Sequence, residues 1–325
     1  MKNYSVKKYQ NNDYEQWNAF IAEAKNATFL FHRDFMQYHE DRFEDYSLIV
    51  LDGEKWIAVL PANKVEDAVF SHQGLTYGGL IYSETIKLAS IIEVLKTVLC
   101  FLHEHAIQKV QIKLIPSIYH QKPAEEIQYA LFLADAQLIR RDSLSVMDLS
   151  KPYSMSKDRK RGGKNGIDNG LIIQEVGSFQ EFWNEILIPN LDSKFKAKPV
   201  HSLEEITKLK TLFPKNIRQF NVYENGIIVG GTTIFESALV AHSQYISGRE
   251  DKNDLGGLDY LHYHLLTEIF NQKRFFDFGI SNENQGKKLN NGLSYWKESF
   301  GANTIVHDFY EVKTANFVKM MNTVV

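Results

Sequence analysis

A glycine pair at the start of a helix is the first feature of this sequence that could do chemistry. Residues 243 to 266 read SQYISGREDKNDLGGLDYLHYHLL, a pattern that changes from an alternating strand through a polar turn to an apolar-periodic helix. Free N–H groups and the helix dipole at such a start attract phosphate. We therefore predict a phosphate cradle at Leu255, Gly256 and Gly257. An ordinary strand-to-helix turn is the alternative, because a glycine pair is a weak signal.

Acidic residues beside this glycine pair count against a phosphate. Asp251, Asp254 and Asp259 carry negative charges that repel it. Asp254 is also a candidate N-cap of the helix, with the ligand approaching from the other side.

A basic segment in the middle of the chain is the second candidate site. Five positive charges stand beside a Gly-Gly pair: Lys157, Arg159, Lys160, Arg161 and Lys164. Arginine donates paired, charge-assisted hydrogen bonds that suit phosphate. We predict an anion site where two domains meet, and a solvated linker is the alternative.

The elements that must position these residues occur twice in the same order. The first half has a hairpin turning at Asp52-Gly53, a strand ending in glycines, a helix at about 84 to 106 and a strand KVQIKLIP. The second half has a hairpin turning at Asn225-Gly226, the strand ALVAHSQYISG, a helix and the strand RFFDFGIS. The order predicts a duplicated α+β fold, with domains at 1–150 and 151–325.

Composition excludes several classes of protein. The chain has 325 residues, a net charge of −3 and one cysteine, Cys100, in an apolar helix pattern. The charge gives no global attraction to nucleic acid or to an anionic membrane, so we predict neither partner. No apolar run is long enough to span a bilayer, and one cysteine with no signal segment suits a cytoplasmic protein. The oligomeric state is left open.

Several short motifs resemble the FemABX-like, double-GNAT branch of the N-acyltransferase superfamily. They are YGG after the first-half strand, the basic segment, GGTTIF, SQYISG, FDFGIS and WKESFG. The resemblance implies two tandem GNAT-like domains, each a mixed, mostly antiparallel sheet flanked by helices. One departure is that the glycines of the pyrophosphate loop come late after Arg249.

The resemblance implies an acyl-CoA cofactor, acetyl-CoA or a short-chain acyl-CoA, bound by the second domain. The pantetheine arm would lie along the strand SQYISG, and FDFGIS would form the opposite wall. The predicted cofactor-binding residues are Tyr245, Ile246, Ser247, Gly248, Arg249, Leu255, Gly256, Gly257, Ser281 and Asn282.

Acyl transfer to an amine requires a proton acceptor and a donor to the leaving group. Strand alternation predicts Ser243, Tyr245 and Ser247 on one face and His242, Gln244 and Ile246 on the other. Tyr245 is the candidate proton donor, with a half-buried strand tyrosine as the alternative. His242 and Glu236 are candidate bases. Asp277 is a weaker candidate, since pairing with Lys297 or capping a turn also suits it.

The remaining candidates are assigned to the acceptor substrate. They are His32, Arg33, His72, Tyr77, Arg159, Lys160, Arg161, Lys164 and Lys288. We predict no metal site, because the HYH and HEH pairs point about 200° apart on a helix and cannot share an ion.

Three functions follow from the resemblance. The first is an acyl-CoA-dependent N-acyltransferase acting on a small amine, with a nucleotide-linked amino sugar as the preferred acceptor, by direct attack without a covalent intermediate. The second is an aminoacyl-tRNA-dependent ligase that extends peptidoglycan precursors. The third is a double GNAT that binds a ligand without catalysis.

Overall fold

A computed structural model describes residues 4–249 and 252–324. The chain forms two compact units. Unit 1 comprises residues 1–142, 285–287 and 306–325, and unit 2 comprises residues 143–284 and 288–305. These units differ from the predicted division at residue 150 in that the last segment of the chain returns to unit 1. It does so because the final strand pairs with a strand near residue 110.

The described residues form strands of two to twelve residues. In chain order they are β1 (Tyr4–Lys8), β2 (Glu44–Asp45), β3 (Leu48–Asp52), β4 (Lys55–Leu60), β5 (Asn63–Val65), β6 (Ala68–Phe70), β7 (Ile81–Tyr82), β8 (Lys109–Lys113), β9 (Gln137–Asp148), β10 (Ile172–Val176), β11 (Ile217–Glu224), β12 (Ile227–Glu236), β13 (Val240–Gly248), β14 (Phe275–Ile280), β15 (Asn282–Glu283), β16 (Lys288–Leu289) and β17 (Asn303–Lys313).

The α-helices are α1 (Tyr14–Glu23), α2 (Arg33–Met36), α3 (Leu88–Glu104), α4 (Glu126–Leu133), α5 (Lys157–Asp168), α6 (Ile188–Phe195), α7 (Leu203–Leu212), α8 (Lys252–Leu255), α9 (Gly257–His264) and α10 (Asn291–Glu298). Two π-helical segments, Phe182–Leu187 and Leu265–Ile269, precede α6 and follow α9. Shorter 3-10 turns lie at Asn11–Asp13, Phe29–Phe31, Gln37–His39, Ser117–Tyr119 and Thr314–Met320.

Unit 1 contains a sheet of order β1-β3-β4-β7 and a row of strands of order β17-β8-β6-β5-β2. Helix α3 covers them with an apolar stripe that includes Ile91, Leu95 and Leu102. The hairpin predicted at Asp52-Gly53 is confirmed, and Gly53 adopts a positive φ of 63°. A Cβ there would strain the turn, which explains the Asp-Gly pair.

Unit 2 is built on strands of order β10-β11-β12-β13-β14, with residues Leu144 to Asp148 of β9 pairing on the far side of β14. The hairpin predicted at Asn225-Gly226 joins β11 to β12 and is confirmed. Helix α9 covers one face of the sheet, where Leu258 meets Gly230, and the π-helical segment covers the other, where Phe182 meets Gly231. The mixed sheets flanked by helices confirm the predicted α+β class.

Each unit contains a parallel pair of neighbouring strands among the residues that the structure describes. They are β6 with β8 in unit 1 and β13 with β14 in unit 2, and each pairing lasts only three residues. Among the described residues, no helix is both long and apolar enough to cross a membrane.

Candidate active site

The two parallel strands of unit 2 separate after a short pairing, and we call this point the unit 2 fork. Val240, Ala241 and His242 pair with Phe275, Phe276 and Asp277, and the ladder then ends. Beyond the fork, β13 continues to Gly248 along β12 alone. A gap between parallel strands leaves backbone groups available to a ligand.

A β-bulge at Gln244 changes which side chains share a face of β13. Thr233 pairs with Tyr245, while the next residue of β12, Ile234, pairs with Ser243. Because one extra residue sits in β13, the simple alternation predicted from the sequence is wrong here. His242 lies on the same face as Tyr245, and Ser243 lies on the opposite face, where its Oγ is 3.4 Å from Thr232 Oγ1.

His242 and Asp277 form a buried pair at the fork. His242 Nδ1 is 3.0 Å from Asp277 Oδ2, and the two side chains belong to neighbouring strands. The backbone N–H of Gly279 donates to the other carboxylate oxygen at 2.7 Å. Gly279 adopts a φ of 74°, and a Cβ there would lie 3.3 Å from His242 Cε1. The contact with Asp277 engages Nδ1 of His242, which leaves Nε2 as the ring nitrogen outside this pair.

Lys297 of α10 contacts the end of β14, which follows Asp277. Its Nζ donates to the carbonyl oxygens of Gly279 at 3.0 Å and Ile280 at 2.6 Å. Burial lowers the pKa of Lys297 to about 8, and the charge of Asp277 acts in the opposite direction. Lys297 therefore holds the loop that follows Asp277, and the carboxylate itself contacts His242.

Tyr245 makes a structural contact on the face covered by the π-helical segment. Its Oη is 2.6 Å from His201 Nδ1 and accepts the His201 backbone N–H at 3.2 Å. Its ring packs edge-on against Trp183 at 5.2 Å. Burial raises the pKa of Tyr245 to about 12, which makes the phenol a weaker acid. These contacts favour the alternative interpretation of Tyr245 as a packed strand tyrosine.

A cavity of about 770 Å³ opens at the far end of β13 in unit 2. We call it the donor cavity. Ile246, Ser247 and Gly248 form its floor, and α5, α6, the start of α9 and α10 form its walls. Its volume lies within the range of pockets that bind small molecules and cofactors. Three residues predicted for a cofactor therefore line one space.

The basic segment predicted as an anion site or a solvated linker is helix α5, and it belongs to unit 2. The linker interpretation is wrong because α5 packs closely on α9 through glycines. A Cβ on Gly162 would lie 2.0 Å from Asp259 Oδ2, and one on Gly166 would lie 2.5 Å from Tyr260 Cβ. Only glycines at these positions allow the two helices to approach so closely.

One acidic side chain ties three helices together at the wall of the donor cavity. Asp259 of α9 pairs with Arg159 of α5 and accepts the indole N–H of Trp296 of α10 at 2.8 Å. Burial raises the pKa of Asp259, although Trp296 and Arg159 oppose that shift. The charge of Arg159 is thus matched inside the protein.

The rim of the donor cavity is basic. Arg161 and Lys194 both line it, one from α5 and one from α6. Arg161 pairs with Asp158 at 3.0 Å in an exposed position, where such a pair contributes little. Lys160 and Lys164 are also exposed on α5. Because Asp158 also lines the donor cavity, the positive charge at its rim comes from Lys194 and from the exposed Lys160 and Lys164 on α5.

The glycine pair predicted to cradle a pyrophosphate is buried under α5. Gly256 is the N-cap of α9 with a φ of 73°, and a Cβ on it would lie 2.2 Å from the Gly162 carbonyl oxygen. The N-cap is therefore Gly256 and not Asp254, which lies in α8. Asn169 donates to the carbonyl of Leu255 at 3.2 Å. Asp251 lies outside the described residues. The donor cavity lies along β13 and reaches the start of α9 at Leu258 and Asp259.

Other residues predicted for unit 2 make their contacts away from the donor cavity. Glu236 pairs with Arg218 at 3.1 Å and Lys273 at 2.9 Å. Asn282 Oδ1 accepts the N–H of Ser143 at 2.6 Å, and Ser281 is buried.

Two basic side chains predicted to bind ligands are held by glutamates. Arg249 pairs with Glu224 at 3.7 Å, and Lys288 pairs with Glu283 at 3.5 Å. Glu236, which pairs with Arg218 and Lys273, does not line the donor cavity.

The four residues predicted from unit 1 do not form one site. Arg33 is buried, pairs with Asp45 and lies 3.8 Å over the ring of Tyr9. His32 caps α2, and burial lowers its pKa. Tyr77 donates to Thr28 Oγ1 at 3.1 Å inside the core. Of the four, His72 lines a cavity of unit 1.

Sequence reasoning missed three residues at the donor cavity. Asn190 Nδ2 donates to Ser247 Oγ at 2.8 Å and to the Gly248 carbonyl at 2.9 Å, which anchors α6 to the end of β13. Lys194 and Trp296 complete the walls. No local motif marks them, because they converge from helices that are distant in the sequence.

Comparisons with known proteins show the fold. No family model and no curated protein matches the sequence. Among solved structures, FemX superposes with a TM-score of 0.66 at 8% identity over 98% of this chain and 99% of that chain. L-PGS from Bacillus licheniformis gives 0.60 at 13% identity over 96% and 94%. A tandem GNAT protein from the clavulanic acid biosynthesis pathway gives 0.52 at 12% identity over 96% and 99%.

The predicted fold family is therefore confirmed. The chain has the FemABX-like double-GNAT fold over nearly its whole length. At these identities the likeness concerns the fold, and the site must be argued from its own residues.

Proposed function

We propose that this chain is an N-acyltransferase of the aminoacyl-tRNA-dependent kind, which joins an activated amino acid to an amine. The proposal of acyl transfer rests on one observation. His242 and Asp277 form a buried pair, with a 3.0 Å contact, at the fork of two parallel strands. The nearly full-length likeness to FemX in fold supports the same class.

The reaction needs a base and no covalent intermediate. The attacking ammonium loses a proton to His242 Nε2, while Asp277 holds the imidazole in the tautomer that leaves Nε2 free and stabilises the imidazolium that forms. The amine nitrogen then attacks the ester carbonyl. The amide bond forms and the ester C–O bond breaks. The proton held by His242 passes to the departing alkoxide oxygen, and the remaining proton of the attacking nitrogen is released to solvent.

The donor is inferred from the charge around the donor cavity. Arg161 and Lys194 line it, and Lys160 and Lys164 extend the positive surface of α5. Such a rim suits the phosphates of a polynucleotide, whose binding depends on local cations rather than on net charge. The buried position of Gly256 also weakens the case for a pyrophosphate held at the start of α9.

Acyl-CoA is the second candidate donor, and one observation favours it. Ile246, Ser247 and Gly248 floor the donor cavity along the strand where a pantetheine arm was predicted. The preferred acceptor is the amine of a peptide, such as a peptidoglycan precursor. A nucleotide-linked amino sugar remains the candidate acceptor for an acyl-CoA enzyme.

Equilibrium binding separates the two donors before any acceptor is known. Fluorescently labelled bulk tRNA and acetyl-CoA are titrated separately into the full chain at several salt concentrations. We expect tRNA to bind with a steep salt dependence. Arg161→Ala and Lys194→Ala should each weaken it several-fold and reduce the slope by about one. Lys109→Ala in unit 1 is the matched control, because Lys109 does not line the donor cavity and pairs with Glu311.

A transfer assay then tests the chemistry. Radiolabelled aminoacyl-tRNA is mixed with a lysine-containing synthetic pentapeptide, and amide product is measured by mass. Labelled product from aminoacyl-tRNA supports the proposal. Product from acetyl-CoA alone would move the assignment to the second candidate, and no binding of either donor would contradict both.

A further inference from the structure

Unit 1 has its own cavity, of about 370 Å³, at the fork of its parallel strands. There β6 pairs with β8 from Ala68 to Phe70, and the chain then turns away through residues 71 to 79. We call this space the unit 1 cavity. Its lining includes Phe70, His72, Gln73 and residues of β8, β9 and β17. None of the proposed chemistry uses it.

Two cations reach the unit 1 cavity and share one aromatic wall. Lys113 Nζ lies 5.8 Å from the centre of the Phe309 ring, and Arg140 Cζ lies 4.5 Å from it. Arg140 is paired with the buried Asp142, Nη2 to Oδ2, at 2.7 Å. It also donates to Gln285 at 2.8 Å. The charge of Arg140 is thus already matched.

Lys113, unlike Arg140, forms no ion pair with a carboxylate among the described residues. Within residues 4–249 and 252–324, no carboxylate lies at ion-pair distance from Lys113, and its Nζ donates to the Leu75 carbonyl. Burial lowers the pKa of Lys113 to about 8, and the charge of Arg140 adds to that shift. The nearby Glu311 is held by Lys109 at 3.0 Å and by Gln111 at 2.8 Å. The neighbourhood therefore carries one net positive charge.

Neutral hydrogen-bonding groups surround that charge. Gln73 Oε1 accepts from Asn63 at 2.9 Å, and Asn63 Oδ1 accepts the Gln73 backbone N–H at 2.8 Å. This arrangement fixes the Gln73 side chain and leaves its Nε2 hydrogens to donate. Burial lowers the pKa of His72 to about 3, so the ring is neutral at pH 7. Amide donors beside a single cation suit a peptide-like ligand with one negative charge.

We propose that the unit 1 cavity binds the carboxylate of an amino acid or short peptide, with Lys113 as its counter-ion and Phe309 as its apolar wall. One unmatched positive charge fits a monoanion better than a doubly charged phosphate. The volume fits a ligand of amino-acid size. The inference rests on the proposed function in one respect, namely that the acceptor amine belongs to a peptide.

Binding of simple probes to the full chain tests the site without requiring catalysis. N-acetylglycine, its uncharged analogue N-acetylglycinamide and inorganic phosphate are titrated calorimetrically at constant ionic strength. We expect N-acetylglycine to bind at least tenfold more tightly than the other two. Lys113→Met should weaken N-acetylglycine at least tenfold, whereas Lys113→Arg should retain it. Lys319→Met is the matched control, because Lys319 is exposed in unit 1, pairs with Asp135 and does not line the unit 1 cavity.

A second measurement uses the native chain and so does not depend on the folding of a variant. Lysine acetylation by acetic anhydride is followed by mass spectrometry, and N-acetylglycine should protect Lys113 but not Lys109. Equal binding of acid and amide, tighter binding of phosphate, or no protection of Lys113 would each overturn the proposal. Transfer activity is absent from both measurements, so failure here and failure of the proposed function are distinguishable.

Discussion

The forks of the two units have the same strand arrangement and different contents. In unit 2, His242 pairs with Asp277 at the last position of the parallel ladder, and in unit 1 the last pair is Phe70 with Gln111. The unit 2 position thus holds a proton acceptor and its carboxylate. The unit 1 position holds a phenyl ring and an amide, which cannot exchange protons at neutral pH.

The gap beyond the fork differs as well. In unit 1 the chain bridges part of the gap beside the unit 1 cavity: Lys113 N–H donates to Ser71 Oγ at 2.8 Å, and Gly78 N–H donates to the Lys113 carbonyl at 2.8 Å. In unit 2, β13 runs on to the floor of the donor cavity. A duplicated topology therefore supplies two equivalent positions at the ends of the parallel ladders. Side chains and loop length decide which of them can support catalysis.

Removing the base at the unit 2 fork should give the largest effect. His242→Gln should lower kcat by about 10² to 10⁴-fold, because the general base is lost. Asp277→Asn should also lower kcat, because the imidazole of His242 loses the carboxylate that holds it. Steady-state kinetics with the donor identified by binding measures this, with exposed His105→Gln as control. Unchanged kcat in His242→Gln would remove the functional difference between the forks.

Disturbing the close contact between Gly78 and Ser71 at the unit 1 fork should destabilise the folded protein. A Cβ at Gly78 would lie 1.9 Å from the Ser71 carbonyl oxygen, and neither backbone can yield without moving its strand. We expect Gly78→Ala to lower the free energy of unfolding by about 3 kcal/mol or more.

Gly279→Ala at the unit 2 fork is the matched comparison. Its cost should be about 1–2 kcal/mol, from the positive φ. Urea denaturation of both variants measures the difference. Equal losses would mean that the two glycines serve the same purpose.

Acid should destabilise both units through buried neutral histidines. Burial lowers the pKa of His262 in unit 2 to about 4 and that of His72 in unit 1 to about 3. The unfolded chain binds these protons near pH 6.5, so stability is present above that pH and falls as pH drops toward the folded values. The slope is about 1.4 kcal/mol per pH unit for each group.

His262→Phe should reduce the pH dependence between pH 6.5 and about 4. Urea denaturation at several pH values, referenced to each variant at pH 8, provides the measurement. An exposed replacement, His105→Phe, should leave the slope unchanged. If His262→Phe kept the slope of the natural sequence, the ring would already be protonated or solvated in the folded protein.

The smallest effect is expected at Tyr245. Tyr245→Phe removes the contacts with His201 and should cost about 1 kcal/mol of stability. We expect kcat to change by less than about twofold, because the phenol packs against Trp183 and does not serve as an acid. A tenfold loss of kcat with normal stability would restore Tyr245 as the proton donor.

Local sequence patterns determined the elements and their order. The Asp52-Gly53 and Asn225-Gly226 turns identified both hairpins, and the apolar periodicity near residue 95 identified α3. These signals depend on backbone preferences and periodicity within a few residues. They can therefore be recognised in the sequence without knowledge of the tertiary packing. The repeated order predicted a duplicated α+β fold, and the short motifs supplied its resemblance to double-GNAT proteins.

Only the tertiary structure decided the site. His242 and Asp277 are 35 residues apart and meet because β13 and β14 are neighbours for three residues. The bulge at Gln244 reversed the predicted face of Ser243, since one extra residue shifts the alternation. The basic segment forms helix α5, which packs on α9 because Gly162 and Gly166 have no Cβ to prevent the close approach. Such contacts depend on long-range packing, which no local pattern encodes.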